Sequence, residues 1–192
     1  TVDASINSVN IGKGANSVAG NTVLGENALD ASVTGTNNTA IGKDTLTLLT
    51  SGGNNTAIGS EALADNTTGD FNVAIGRQAL KDNTTASNNI GIGRAALGLN
   101  TTGTQNVAVG ALALDANTTA GNNTAIGYNT LSANTTGGNN TAVGRNALAA
   151  NTTGGNNTAV GENALDSCTT GGNNTALGES AAATVSTGVQ NV

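Results

Sequence analysis

Residues 127–144 read GYNTLSANTTGGNNTAVG, and the pattern recurs along the chain without an insertion. The glycines that close each Asn-x-Ala-aliphatic-Gly block are Gly25, Gly42, Gly59, Gly76, Gly93, Gly110, Gly127, Gly144, Gly161 and Gly178, every interval being 17 residues. Only the step back to Gly12, 13 residues, breaks the rule. So strict a period marks a repeat architecture in which each unit contacts its neighbours. Seventeen residues is too short for a two-helix repeat, and Gly, Asn and Thr are poor helix formers. The length suits one turn of a β-solenoid, each coil stacked about 4.8 Å above the last, so that ten coils make a rod roughly 50 Å long. The predicted fold is all-β, a parallel β-solenoid with 17-residue coils. Residues 1–24 read as irregular N-terminal coils, 25–178 as the regular array and 179–192 as an incomplete C-terminal coil.

Composition alone points elsewhere. Leu, Ile, Val and Phe make up about a fifth of the chain, near the level at which disorder is suspected. Yet charged residues are only 9%, the net charge is −6, Pro is absent, and Gly, Ala, Asn and Thr dominate. Ordered by the period, these residues become columns. One Leu, one Ile or Val, and a Thr or Val from each coil line up along the rod, and the missing Pro and scarce aromatics suit a thin cross-section. A single rod with so little apolar material is expected to be marginal by itself, because each ordered residue costs roughly 1–2 kcal/mol of chain entropy.

Four residues before each closing glycine stands Asn: Asn38, Asn55, Asn72, Asn89, Asn106, Asn123, Asn140, Asn157 and Asn174. Stacked amides can bond one another and also satisfy corner backbone groups, so these positions are read as a structural Asn ladder. The three residues that follow form a short strand. Its first position is Thr, Val or Ile, its third is aliphatic, and its middle is Ala from Ala40 to Ala176 except at Gly91. Successive strand residues point to opposite faces, so one face carries branched side chains and the other Ala and Gly. Only one can face the interior. Because a continuous aliphatic stripe exceeds what monomers leave exposed, self-association is expected, the competing arrangement being a second sheet or lid over that face. Leu29, Leu46, Leu63, Leu80, Leu97, Leu114, Leu131, Leu148 and Leu165 form a predicted core column.

The Asn-Thr-Thr turn has two readings. Asn66, Asn83, Asn100, Asn117, Asn134 and Asn151 each begin an N-glycosylation triplet. Their position is held elsewhere by Ser32, Leu49, Cys168 and Val185, which favours an inward corner over a glycan site. The second Thr, at Thr68, Thr85, Thr102, Thr119, Thr136, Thr153 and Thr170, is either a hydroxyl row that satisfies the turn, a row of O-glycan sites or a flat lattice able to order water or ice. Cys168 has no partner cysteine and reads as a small buried substitute.

Several functions are disfavoured. With no His and one Cys, common zinc sites and His-dependent catalytic groups cannot be assembled. No catalytic carboxylate pair, calcium loop or phosphate loop is legible. No catalytic, cofactor or metal residue is therefore assigned, and no enzymatic activity is expected. Six basic against twelve acidic residues argue against nucleic acid as a partner, and no apolar run suits membrane insertion. Thr1 is read as the start of a processed chain or of a piece of a longer one. Both ends of the array are expected to be open, either cut from a longer solenoid or completed head to tail by the next subunit.

The blocks Asn7-Ser8-Val9-Asn10-Ile11-Gly12, Asn16-Ser17-Val18-Ala19 and Asn72-Val73-Ala74-Ile75-Gly76 resemble the head repeats of trimeric autotransporter adhesins. The Asn-Thr-Ala-Ile-Gly arrays are also similar to those of phage tail-fibre-like proteins. The resemblance covers nearly the whole chain and implies a left-handed parallel β-roll on an extracellular structure, often trimeric. This repeat is a few residues longer and carries no coiled-coil stalk or membrane anchor. The expected role is a non-enzymatic extracellular structural protein, at a cell or virion surface, whose partners are copies of itself, lateral or head to tail. The alternatives are a trimeric adhesin or tail-fibre shaft, with surface glycans as partners, and an ice-binding solenoid.

Overall fold

A computed structural model describes residues 4–7 and 9–191 of the chain. Its described strands form one twelve-stranded sheet in sequence order. The first three, β1 (Ala4–Ile6), β2 (Val9–Gly12) and β3 (Thr22–Gly25), run antiparallel. The nine that follow, β4 (Thr39–Ile41) to β12 (Thr175–Leu177), are three residues each and pair in parallel, as in Thr56↔Val73 and Ile58↔Ile75. The predicted parallel β-solenoid with 17-residue coils is what forms. Thr22↔Thr39 places β3 in register with the array, so parallel pairing starts within residues 1–24.

Stacking is not confined to the strands. Around one coil the backbone N–H of Leu63 donates to the carbonyl of Ala79 (3.0 Å), that of Thr67 to Thr84 (2.8 Å), and that of Gly76 to Ile58 (2.8 Å). Every side of the coil is thus tied to the next one, which satisfies backbone groups that would otherwise be buried unpaired. The bends come from three left-handed positions per coil, at φ of about 50–60°. One is the residue two past the glycine (Asn129, φ 57°), one is the core Leu (Leu131, φ 52°), and one is the residue before the ladder Asn (Asn139, φ 60°). Asn tolerates this region better than other residues, which explains why Asn is so frequent at the two outer corners. Leu does not, and its left-handed backbone costs roughly 1–2 kcal/mol. Complete burial of the side chain, worth about 1.5–3 kcal/mol, outweighs that strain by a small margin.

The closing glycine is required twice over. Gly59 has φ 130°, and a Cβ built on it would lie 2.7 Å from the carbonyl carbon of Gly76 in the next coil.

The interior is built from the Leu column and one face of the strand. The Leu column and the Ala residues before it (Ala62, Ala79, Ala96) are fully buried, and opposite them the strand contributes Ala57, Ala74 and Ala108, also fully buried. The Ile and Val of the strand's third position lie on the outside, so of the two strand faces between which the sequence did not choose, the Ala face is the interior one. The cross-section explains this. A Cβ at Gly91, the one middle position without Ala, would stand 3.2 Å from Leu80 Cγ. With Leu filling the coil, the space across from it holds Ala or Gly in every strand from β4 to β12, and Val only in β3, where Val23 pairs with Ala40 at the end of the array.

Two expectations are corrected. Ser32 does not occupy the corner it was assigned: it is exposed, while Val33 is buried at 1%. Thr34 Oγ1 accordingly donates to Thr50 O, 16 residues away, where the structural hydroxyl of a regular coil, as at Thr67, donates 17 residues on. The corner abuts Leu49, so the apolar Val displaces the hydroxyl and the loop slips by one residue. The N-terminal side of the array is not an open edge either, because the β1–β2 hairpin pairs antiparallel onto β3. Of the polar N-terminal segment, Thr1 to Asp3 and Ser8 lie outside the described residues.

Candidate functional site

Two surfaces, two buried amide ladders and one notch carry the polar and exposed features of the rod. The first surface is the outward face of the sheet. It presents two columns, one of Thr, Val and Ile from the first strand position, the other of Ile, Val and Leu from the third. Ile75, Ile126, Val160 and Leu177 are 36%, 41%, 38% and 69% exposed. No second sheet or lid of this chain covers the face among the described residues. At its rim stands the residue after each glycine, a column with seven of the eighteen charged residues: Glu26, Lys43, Arg77, Arg94, Arg145, Glu162 and Glu179. Lys43 Nζ pairs with Glu26 at 3.2 Å, and Arg145 pairs with Glu162. The Glu26 carboxylate, through its hydrogen bond and its charge, holds Lys43 above its usual pKa. Arg77 and Arg94 sit in adjacent coils with no ion pair among the described residues.

The second surface is the turn. Thr68, Thr85, Thr102, Thr119, Thr136, Thr153 and Thr170 are all exposed, and none of their hydroxyls bonds within the described residues. The role of satisfying the turn falls to the preceding Thr. Thr67 Oγ1 donates to the carbonyl of Thr84 (3.0 Å), Thr101 to Thr118 (3.0 Å) and Thr135 to Thr152 (3.1 Å). Of the two hydroxyls per turn, one is structural and the other faces solvent; both are Thr in most coils, so residue type could not separate them.

The Asn ladder forms as read. Asn38, Asn55, Asn72, Asn89, Asn106, Asn123, Asn140, Asn157 and Asn174 are buried. Each side-chain oxygen accepts the backbone N–H of the Asn in the next coil, as at Asn72 N to Asn55 Oδ1 (2.9 Å), while Nδ2 donates across the coil, as from Asn72 to Ala86 O (2.9 Å). The ladder thereby supplies a rung the strands lack. A second ladder, from Asn66 to Asn151, is also fully buried. Asn83 Nδ2 donates to Asn66 Oδ1 and to Ala86 O, both at 3.0 Å. These are corner residues, as expected from the Leu and Cys that share their position, and their amide nitrogens are not accessible in the folded chain. The ladder stops at Cys168. Burial pushes that thiol's pKa up, which makes it a poor nucleophile, and Asn151 Oδ1 is left buried without a partner.

A shallow notch of about 360 Å³ lies among Gln78, Lys81, Asp82, Ala95, Gly98, Leu99 and Asp115. It exists because Gly98 stands in a column that elsewhere carries a side chain, with Lys81 one coil before and Asp115 one coil after. Lys81 is held by Asp82 (3.0 Å) and Asp65 (3.8 Å). Burial raises the Asp115 carboxyl above its usual pKa, opposed by the N–H groups of Asp115 and Ala116 and the charge of Arg94. No group of three His, Cys, Asp or Glu side chains among the described residues is placed to hold a metal ion. No helix among them is long and apolar enough to cross a membrane.

No family model, curated protein or solved structure matches the chain.

Proposed function

We propose that this chain is a non-enzymatic structural protein, a β-solenoid segment of an extracellular fibre or filament that works by associating with copies of itself. The observation that carries the reading is the outward sheet face, with two continuous columns of branched side chains and no cover from the described residues of the chain. Burial of such a stripe against a second chain returns roughly 25 cal/mol per Å² of apolar area. A rod with one Leu per coil in its interior has reason to recruit it. Each further coil adds the same increment of surface, which suits a fibre. Association by this face accommodates both the lateral filament and the three-chain shaft implied by the resemblance to adhesin heads.

The test is sedimentation velocity with electron microscopy across a wide concentration range. Growth of the particle with concentration is expected, abolished by the joint substitutions Ile75→Thr, Ile92→Thr and Ile126→Thr, which keep β-propensity but remove apolar surface. Dispersed monomers at every concentration would refute the proposal, and three chains per particle would favour the adhesin or tail-fibre shaft. A second reading rests on the solvent-facing Thr row, whose unbonded hydroxyls repeat once per coil. It makes the turn a site for O-glycans or for ordered water and ice. Intact mass and thermal hysteresis test it directly, and a bare mass with no hysteresis removes it.

A further inference from the structure

We propose that two copies meet by this sheet face as an antiparallel, two-fold symmetric pair centred on Tyr128; the inference rests on the self-association reading above. Symmetry narrows the choices. When two identical faces pack with their rods parallel, the charged rim of one lies opposite the far side of the other. When the rods run antiparallel about an axis across the face, each column lies opposite its own copy, and the rims meet. Only then do the rim charges select a register.

The order along the rim is Glu26, Lys43, Ser60, Arg77, Arg94, Ala111, Tyr128, Arg145, Glu162, Glu179. Placing the two-fold axis at Tyr128 sets Arg77 opposite Glu179 of the second copy and Arg94 opposite Glu162. Ala111 faces Arg145, and Tyr128 faces itself. Symmetry doubles each ion pair, giving four, with no like charges opposed. Shifting the axis by half a coil toward the N-terminus puts Arg94 against Arg145, a repulsion. The opposite half-coil shift moves Arg94 opposite Glu179 but leaves Arg77 outside the overlap. The chosen register therefore neutralises the two stacked arginines that have no ion pair among the described residues and also uses Glu179, which is exposed and likewise without an ion pair among them. It places Ile126 at the centre of the overlap and Tyr128, 52% exposed, beside it on the rim, both at the two-fold axis.

The dimensions fit. Sheets pack face to face at about 10 Å, a gap that an Arg and a Glu reaching from opposite rims can span. Seven coils overlap, roughly 34 Å long by about 15 Å wide, or about 1,000 Å² counting both partners, the lower bound for a specific interface. The pair is accordingly weak and salt-sensitive, with register set by charge and attraction by the apolar columns.

The test uses the full chain in two charge-reversed forms, Arg77→Glu with Arg94→Glu, and Glu162→Arg with Glu179→Arg. Each alone opposes like charges, and its dimerisation is expected to weaken at least tenfold. Their equimolar mixture restores opposite charges at all four positions and is expected to recover the wild-type affinity as a heterodimer. As a check that does not depend on the charged variants folding, Tyr128→Cys is expected to cross-link to a dimer with a short bis-maleimide. Ser60→Cys, whose copies lie about 38 Å apart in this register, is not. Failure of the mixture to recover affinity, or equal cross-linking from residue 60, overturns the register while wild-type association still stands. A wild-type chain that stays monomeric overturns the register together with the self-association reading.

Discussion

The break in the second amide ladder makes a quantitative prediction. Asn151 Nδ2 donates to Asn134 Oδ1 at 2.8 Å and to Gly154 O at 3.0 Å, but its own Oδ1 is buried and unpartnered because Cys168 stands where the next Asn would donate. Cys168 Sγ reaches only to 3.7 Å from Gly171 O. An unsatisfied buried acceptor costs about 1–3 kcal/mol. Cys168→Asn supplies the missing donor to Asn151 and a shorter bond to Gly171. The new side-chain oxygen then faces Val185, which offers no donor, but Val185 is only partly buried and water can reach that coil. The orphan acceptor moves from a sealed position to a wet one, so most of the cost is recovered. The expected gain is about 1 kcal/mol, or about 2–4 °C in melting temperature for a chain of this size. Solenoids unfold in parts, so hydrogen exchange over residues 151–178 is the more direct assay, with urea unfolding followed by circular dichroism beside it. Cys168→Ala is the control: it removes the sulfur without adding a donor and is expected to destabilise. The order Asn above Cys above Ala supports the reasoning; an Asn variant no more stable than the native Cys refutes it.

Three other outcomes follow from the same geometry. Ala108→Val pushes a branched side chain into the space opposite the Leu column and is expected to cost about 1–3 kcal/mol in urea unfolding; an unchanged midpoint would show that the interior has room. Gly59→Ala combines a left-handed backbone with a collision against the next coil, and a loss of about 2 kcal/mol or more is expected, against a few tenths for Gly98→Ala at the open notch. Asp115→Asn tests the carboxyl whose pKa burial raises above 3.8. A raised folded pKa means that the group supports the fold when protonated and that this support is lost as pH rises through the folded value. The variant should therefore be more stable than the native chain at pH 7, with the gap closing near pH 3.5, and a gap independent of pH would contradict the assignment.

Most of the architecture was legible in the spacing alone, because stacking identical coils forces each position into a column. The Asn ladder could be read for the same reason: an amide in every coil has a partner above and below. The corner role of Asn66 to Asn151 was legible from the exceptions, since Leu49 and Cys168 have no use for water. Other features were hidden in residue type. The two Thr of each turn are chemically alike, and only the direction of the backbone decides which hydroxyl bonds the next coil. The slip that buries Val33 in place of Ser32 is a contest between neighbours that a fixed period cannot express. The N-terminal hairpin also escaped notice, because two short strands with no repeat between them leave no columnar signal.

The sequence by itself determined the coil length, the number of columns and their contents, since these depend only on periodicity and on the two-residue alternation of a strand. It did not determine which side of the strand was inside. Both faces are apolar, so hydropathy could not separate them. Tertiary structure decided it, for a reason of volume. The core Leu arrives from the opposite wall, and the space it leaves across from the strand is filled by Ala or Gly from β4 to β12. The Ile and Val were thereby turned outward, and the surface they make is the one on which the proposed function rests.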